Sequence, residues 1–245
     1  MNDSSVFIVF GGYGGIGSAL SKRLVDDGHT VIVAGPNADK LNAIANDTGA
    51  STIQADATIP DEVQACFDRA IEDHGKVDGV AHCVGSILLK PAHLTSDDEW
   101  MKTINLNLNS AFYVLRSAVK AMTKTGGSIA LVSTAAARIG IPNHEAIAAA
   151  KGGVIGLTQS AASTYSMRNI RVNCVAPGLV DTPMAERITS NETALKASTS
   201  MHALGRIGAP NDIASALQWL LDPSNSWVTG QVIGVDGGLG TLRAR

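Results

Sequence analysis

Short runs of β-branched and other apolar residues alternate along the chain with longer stretches in which apolar positions recur at helical spacing. The runs are VFIVF (6–10), TVIVA (30–34), TIQA (52–55), GVAHCV (79–84), SIALVS (128–133), IRVNCVA (170–176) and GQVIGVD (230–236). Most lack the strict apolar–polar alternation of a half-solvated strand, so they predict strands buried on both faces. Between them helices are predicted at about 16–27, 38–46, 60–74, 96–122, 143–166 and 210–222. Alternation of this kind implies parallel strands joined by right-handed crossovers. The fold class is therefore α/β, a single Rossmann-type, doubly wound parallel sheet with helices on both faces.

One segment breaks the rhythm. Residues 184–205, MAERITSNETALKASTSMHALG, are rich in Ser, Thr and Ala without strong apolar spacing. An insertion near the carboxyl ends of the strands reads as a lid over a site, or as a surface helical hairpin. No repeat, low-complexity tract or linker divides the chain, so residues 1–245 are expected to form one domain.

Composition narrows the class without naming it. Hydrophobic residues make up 45% of the 245, against 17% charged, which suits a sizeable core and excludes a disordered chain. The net charge is −3 and Lys and Arg are scattered, so no nucleic-acid partner is expected. Cys66, Cys83 and Cys174 are far apart, with neither disulfide-framework nor zinc-ligand spacing. VFIVF is too short to span a bilayer. A cytoplasmic protein without a membrane or metal site is the expectation.

The first strand runs directly into Gly11, Gly15 and Gly17, and a helix follows. Glycines so placed permit a tight turn, close approach of backbone to a pyrophosphate, and close packing of helix on strand. The helix N-terminus then offers free N–H groups and the positive end of its dipole. The spacing Gly-x-x-x-Gly-x-Gly resembles the short-chain dehydrogenase/reductase family, whose loop usually reads Thr-Gly-x-x-x-Gly-Ile-Gly. Here Phe10 replaces the Thr and Ile16 matches.

The resemblance runs nearly end to end. It places Asp56, in QADATIPDEV, at the adenine contact, and matches Gly85 to the strand end that usually reads Asn-Asn-Ala-Gly. In that strand His82 and Cys83 replace the two asparagines, as a satisfied core His and a small core Cys. DDEWMKTINLNLNSAF resembles the helix carrying the family's Asn, which falls on Asn107, and RVNCVAPGLVDTPM brings Pro177 and Gly178 to the cofactor. The implied cofactor is NAD or NADP. At the end of the second strand Gly35, Pro36 and Asn37 offer neither an acid for the ribose hydroxyls nor a base for a 2′-phosphate, so the form stays open.

Family members that reduce carbonyls use a Ser, a Tyr four residues before a Lys, and an Asn. Lys151 and Asn107 match, and Thr134 keeps a hydroxyl at the Ser position. The Tyr position holds Ile147, which cannot move a proton, a task worth about 10²–10⁴-fold. His144 is the candidate substitute. With Asn143 as N-cap, positions 144, 147 and 151 share one helical face. An imidazole titrates near neutrality; a water held by Thr134, Asn107 and Lys151 is the other route.

The stretch AIAAAKGGVIGLTQSAA (146–162) is almost entirely small or apolar, so one face covers the sheet and the other calls for a partner. A homodimer or homotetramer is expected, or pairing with an active homologue. Three functions remain open: an NAD(P)-dependent oxidoreductase of a small, partly apolar carbonyl or alcohol with an altered proton-transfer site; a non-catalytic dinucleotide-binding or regulatory subunit; or a lyase or isomerase on the same fold. Ser86–Leu89 and Ile139–His144 would line the substrate pocket.

Overall fold

A computed structural model describes residues 4–243. All seven expected strands form: β1 Val6–Phe10, β2 Thr30–Gly35, β3 Ser51–Gln54, β4 Gly79–His82, β5 Gly127–Val132, β6 Ile170–Pro177 and β7 Val232–Val235. They make one sheet in the order β3-β2-β1-β4-β5-β6-β7, and every neighbouring pair is parallel. The chain winds outward from β1 to β3, returns, and winds the other way from β4. The order therefore reverses between β1 and β4, and a crevice opens there beyond the carboxyl ends of the strands.

Each crossover lays a helix on the sheet. Leu20 and Leu24 of α1 (Gly15–Asp26), Leu41 and Ile44 of α2 (Ala38–Thr48) cover one face. The other face is covered by α3 (Pro60–His74), α5 (Ser110–Met122) and α6 (Glu145–Tyr165), through Val63, Phe67, Val114 and Val154. The last helix, α9 (Pro210–Leu221), returns to the α1 side with Ile213 and Leu217. The limits of α3 follow from its ends, with Pro60 in the first turn and Gly75 closing it at φ 76°.

The expected helix 96–122 is interrupted. α4 (Asp97–Ile104) starts at a Ser96/Glu99 capping box, and a π-helical turn, Asn105–Asn109, joins it to α5. In residues 184–205 the chain forms α7 (Glu186–Thr189) and α8 (Glu192–Met201), neither of which buries a residue.

Phe10 has a packing role. It is fully buried and stacks on Phe67 with centroids 5.9 Å apart, fastening the end of β1 to α3.

Candidate active site

The glycine loop has the shape a pyrophosphate needs. Gly11 sits at φ 73°, and a Cβ on Gly17 would collide with the Gly11 carbonyl oxygen. A Cβ on Gly15 would stand 2.6 Å from Thr182 Cγ2, so the segment after β6 lies against the loop. No side-chain hydrogen bond caps α1, so the helix N-terminus keeps first-turn N–H groups to offer an anion. This cradle, filled by any added side chain, fits a dinucleotide.

At the adenosine end, Tyr13 takes the space that a side chain on Gly35 would need, and Lys40 Nζ lies 5.6 Å from the Tyr13 ring centroid. Asn37 caps α2 by accepting from the Lys40 N–H at 2.9 Å. Asp56 Oδ1 accepts from Thr58 N (2.8 Å) and Thr58 Oγ1 (2.7 Å), a local turn at the mouth of the expected adenine pocket.

Three expected residues converge at the far end of the crevice. A Cβ on Gly85 would stand 2.9 Å from Asn107 Oδ1 and 3.2 Å from Lys151 Nζ, so glycine is what lets amide and ammonium meet there. The π-turn aims Asn107 inward. Its Nδ2 donates to Ser86 Oγ (3.0 Å) and Thr103 O (2.9 Å), and its Oδ1 accepts from Ser86 N (3.0 Å). Lys151 Nζ donates to Val132 O at 3.0 Å and Val84 O at 3.4 Å. Burial pushes the Lys151 pKa down to about 8, partly opposed by Cys174 and Cys83. Ser133, buried beside Thr134, donates to the Lys151 carbonyl at 2.9 Å and steadies the helix carrying that lysine.

The chain belongs to the short-chain dehydrogenase/reductase family. A family model described as enoyl-(acyl carrier protein) reductase matches residues 12–240. A 3-oxoacyl-(acyl-carrier-protein) reductase of Thermotoga maritima is 33% identical over 97% of this chain and 98% of its own length. Among solved structures, a short-chain type dehydrogenase/reductase from Mycobacterium ulcerans superimposes with a TM-score of 0.94 at 32% identity, covering 98% of this chain and 91% of that one. A variant of actinorhodin polyketide ketoreductase, solved with NADPH, gives 0.93 at 26% identity over 99% of both chains. By class this family member is an NAD(P)-dependent oxidoreductase.

Within that frame two expectations need correction. Asn143 does not cap α6. It stands at φ 64°, in the left-handed region, with its carbonyl accepting from Lys90 N at 2.8 Å. His144 takes the N-cap position instead, so it lies outside the helix and the shared helical face with Ile147 and Lys151 does not hold for it. The cause is a tertiary contact: the turn after Pro142 is held by Lys90, and Lys90 is itself clamped to Glu99 at 2.8 Å. The His144 ring is half-buried, with Nδ1 donating to Pro142 O at 2.8 Å, which leaves Nε2 as its free nitrogen.

His82 is the second. Ser110 Oγ donates to Leu106 O at 2.6 Å and so accepts from His82 Nε2 at 2.9 Å. Nδ1, fully buried, finds no partner among the described residues, so this histidine is only half satisfied. Burial, reinforced by the nearby Lys151 charge, pushes its pKa down to about 3, so it is neutral.

Thr134 lies two residues past β5 in extended conformation, and its Oγ1 accepts from Ala136 N at 3.3 Å. Ile147 is 5% exposed and packed into α6's inner face. Ser86 was expected at the substrate pocket, but its contact with Asn107 was not, and Thr182 was not singled out from the sequence. A threonine before Pro183 carries no signature of its own, and only the fold brings it against the glycine loop.

Proposed function

We propose that the chain transfers hydride between NAD(P) and a small, partly apolar carbonyl or alcohol, with the proton carried by His144 rather than by a helix residue. The observation that carries this reading is the meeting of Asn107 and Lys151 over Gly85, at the end of the crevice away from the adenosine corner. When bound, the nicotinamide supplies or accepts the hydride. Lys151 holds the nicotinamide ribose, Asn107 and Ser86 fix the backbone beneath it, and Thr134 orients the substrate oxygen. Asp56, Pro177 and Gly178 complete the cofactor's contacts.

Support for His144 comes from its tautomer. With Nδ1–H engaged, the neutral ring presents a basic Nε2, and the imidazolium presents an acidic one. Ile147, buried and without a polar atom, can do neither. Exposed Ile87 and Leu89, at 40% and 44%, support a partly apolar substrate, with 184–205 as its lid. The whole of 1–245 works as one domain in this reading, in the cytoplasm, where Cys66, Cys83 and Cys174 stay free thiols. No helix among the described residues is long and apolar enough to cross a membrane. We also assign a homo-oligomer, dimer or tetramer, supported by open space outside Gly152 and Gly156 on α6 and by Phe112 exposed on α5.

Titration with NADH and NADPH, followed by reduced-nicotinamide fluorescence, identifies the cofactor form, and a carbonyl panel follows. Loss of turnover in His144→Phe with cofactor affinity retained supports the assignment. Cofactor binding without turnover on any carbonyl, and turnover appearing only in Ile147→Tyr, would instead mark a dinucleotide-binding subunit.

A further inference from the structure

Beyond Ala185, which is buried at its start, the segment 184–205 has little to hold it down. α8 buries none of its residues, so no core anchors it. What fastens its end is the residue after it, His202, which is 4% exposed. The ring is wedged against Gly178, where a Cβ would stand 2.5 Å from His202 Nε2, and against Gly237, where a Cβ would stand 3.4 Å from the ring. Leu179 N donates to Nε2 at 3.2 Å, while Nδ1 lies 2.7 Å from Ser198 O. A carbonyl can only accept and a backbone amide can only donate, so the two partners fix one neutral tautomer, Nδ1–H with a bare Nε2. Gly205 N donating to His202 O (2.8 Å) and Leu204 N to Gly237 O (3.0 Å) lock the flanking backbone.

We propose that His202 is a positioning residue: its uncharged imidazole latches the 184–205 segment onto Gly178–Leu179 and releases it when protonated. The purpose of the latch rests on the reading of Pro177–Gly178 as cofactor-binding backbone. Protonation puts a hydrogen on Nε2, facing the Leu179 N–H, so two donors meet and the hydrogen bond is lost. The charged groups around the ring offer little to replace it. Asp236, from the turn after β7, already accepts from Gly238 N and Gly240 N at 3.0 Å each. Arg206 and Asp212 are paired at 2.6 Å, and Lys196 on α8 and Arg243 near the chain end are cations. Once the ring is protonated, the lid end comes loose and the backbone at Gly178 loses its support.

The test compares wild type, His202→Gln and His202→Leu at about pH 5.5 and about pH 8, the range over which an imidazole changes charge. Gln keeps an accepting oxygen for Leu179 and does not titrate; Leu keeps the bulk without the acceptor. In cofactor-free protein, hydrogen exchange of the Leu179 amide and tryptic cleavage after Lys196 are read at each pH, so that intrinsic rates cancel between variants. At the lower pH the wild type is expected to exchange and cleave about tenfold faster than His202→Gln, and at the higher pH to match it. His202→Leu is expected to be fast at both. Nitrogen-15 spectra of the wild-type ring read the latch without any variant, with Nε2 bare at the higher pH. Equal pH dependence in wild type and His202→Gln, or an Nε2–H tautomer at the higher pH, overturns the proposal. If exchange behaves as expected while neither NADH nor NADPH binds at any pH, the latch stands and the cofactor reading fails.

Discussion

Replacing His82 by Asn, the residue usual in this strand, tests the buried histidine through the pH dependence of stability. In the folded protein burial and the Lys151 charge hold its pKa at about 3, against an ordinary 6.5. Between those values the unfolded chain binds a proton that the folded chain refuses. The group's contribution is therefore fully present above about 6.5 and is lost as pH falls toward 3. Each pH unit is worth about 1.4 kcal/mol, so at pH 4.5, two units below the ordinary value, wild type should have lost about 2.7 kcal/mol from this group alone. Carboxylates also destabilise the fold in acid, but they are common to both proteins and cancel in the difference. The assay is urea unfolding by far-ultraviolet circular dichroism at pH 7.5 and 4.5, at one protein concentration. With an m-value of about 3 kcal/mol/M, wild type should show an extra midpoint loss of close to 1 M, absent in His82→Asn. The same acid loss in both proteins would refute a neutral, desolvated His82.

Lys151→Met should weaken binding of the reduced nicotinamide and flatten its pH dependence. In wild type the affinity should fall as pH rises through about 8, where the ammonium is lost, as read by fluorescence titration. Ile147→Tyr should change carbonyl reduction by less than about tenfold in steady-state assays while His144 carries the proton, and should raise it by about 10²-fold or more in the His144→Phe background, where it restores a proton donor one turn before Lys151. Gly17→Ala should abolish cofactor binding and cost about 1–3 kcal/mol, because the added methyl meets the Gly11 carbonyl; calorimetry and fluorescence read the two effects. Phe10→Ala should cost about 3–5 kcal/mol in chemical denaturation by emptying the place against Phe67.

Strand positions were legible because β1, β2, β4, β5 and β6 are apolar enough to mark themselves, and Pro60 and Gly75 punctuate α3 openly; β3, expected to be buried on both faces, is instead a part-exposed edge strand with Ser51 and Gln54 open to solvent. The glycine loop was legible because φ and close approach leave glycine little competition there. The break at Asn105–Asn109 was not, since a π-turn changes hydrogen-bond partners without changing residue types; it is nonetheless what aims Asn107. Nor was the start of α6. Asn143 is a good cap by propensity, and only the distant Lys90 N–H, from the loop after β4, explains why it turns left-handed and passes the cap to His144. His202 was hidden for the same reason: its partners, Leu179 and Gly237, are brought to it by the sheet rather than by sequence.

The strand order also sets a timetable for synthesis. β1 is made first yet ends up central, and after β4 every new strand docks on the outer edge of the one before it. Between the end of β4 at residue 82 and the start of β5 at residue 127 lie 44 residues. At about 5–20 residues per second the ribosome leaves the β4 edge unpaired for roughly 2–9 s. That edge is the apolar Gly79–His82, the kind of open ladder that templates association with other chains. A nascent chain stalled within this window should be the form most dependent on chaperones. The finished sheet ends on β7, four residues long and only partly buried, which leaves a short edge for any later encounter.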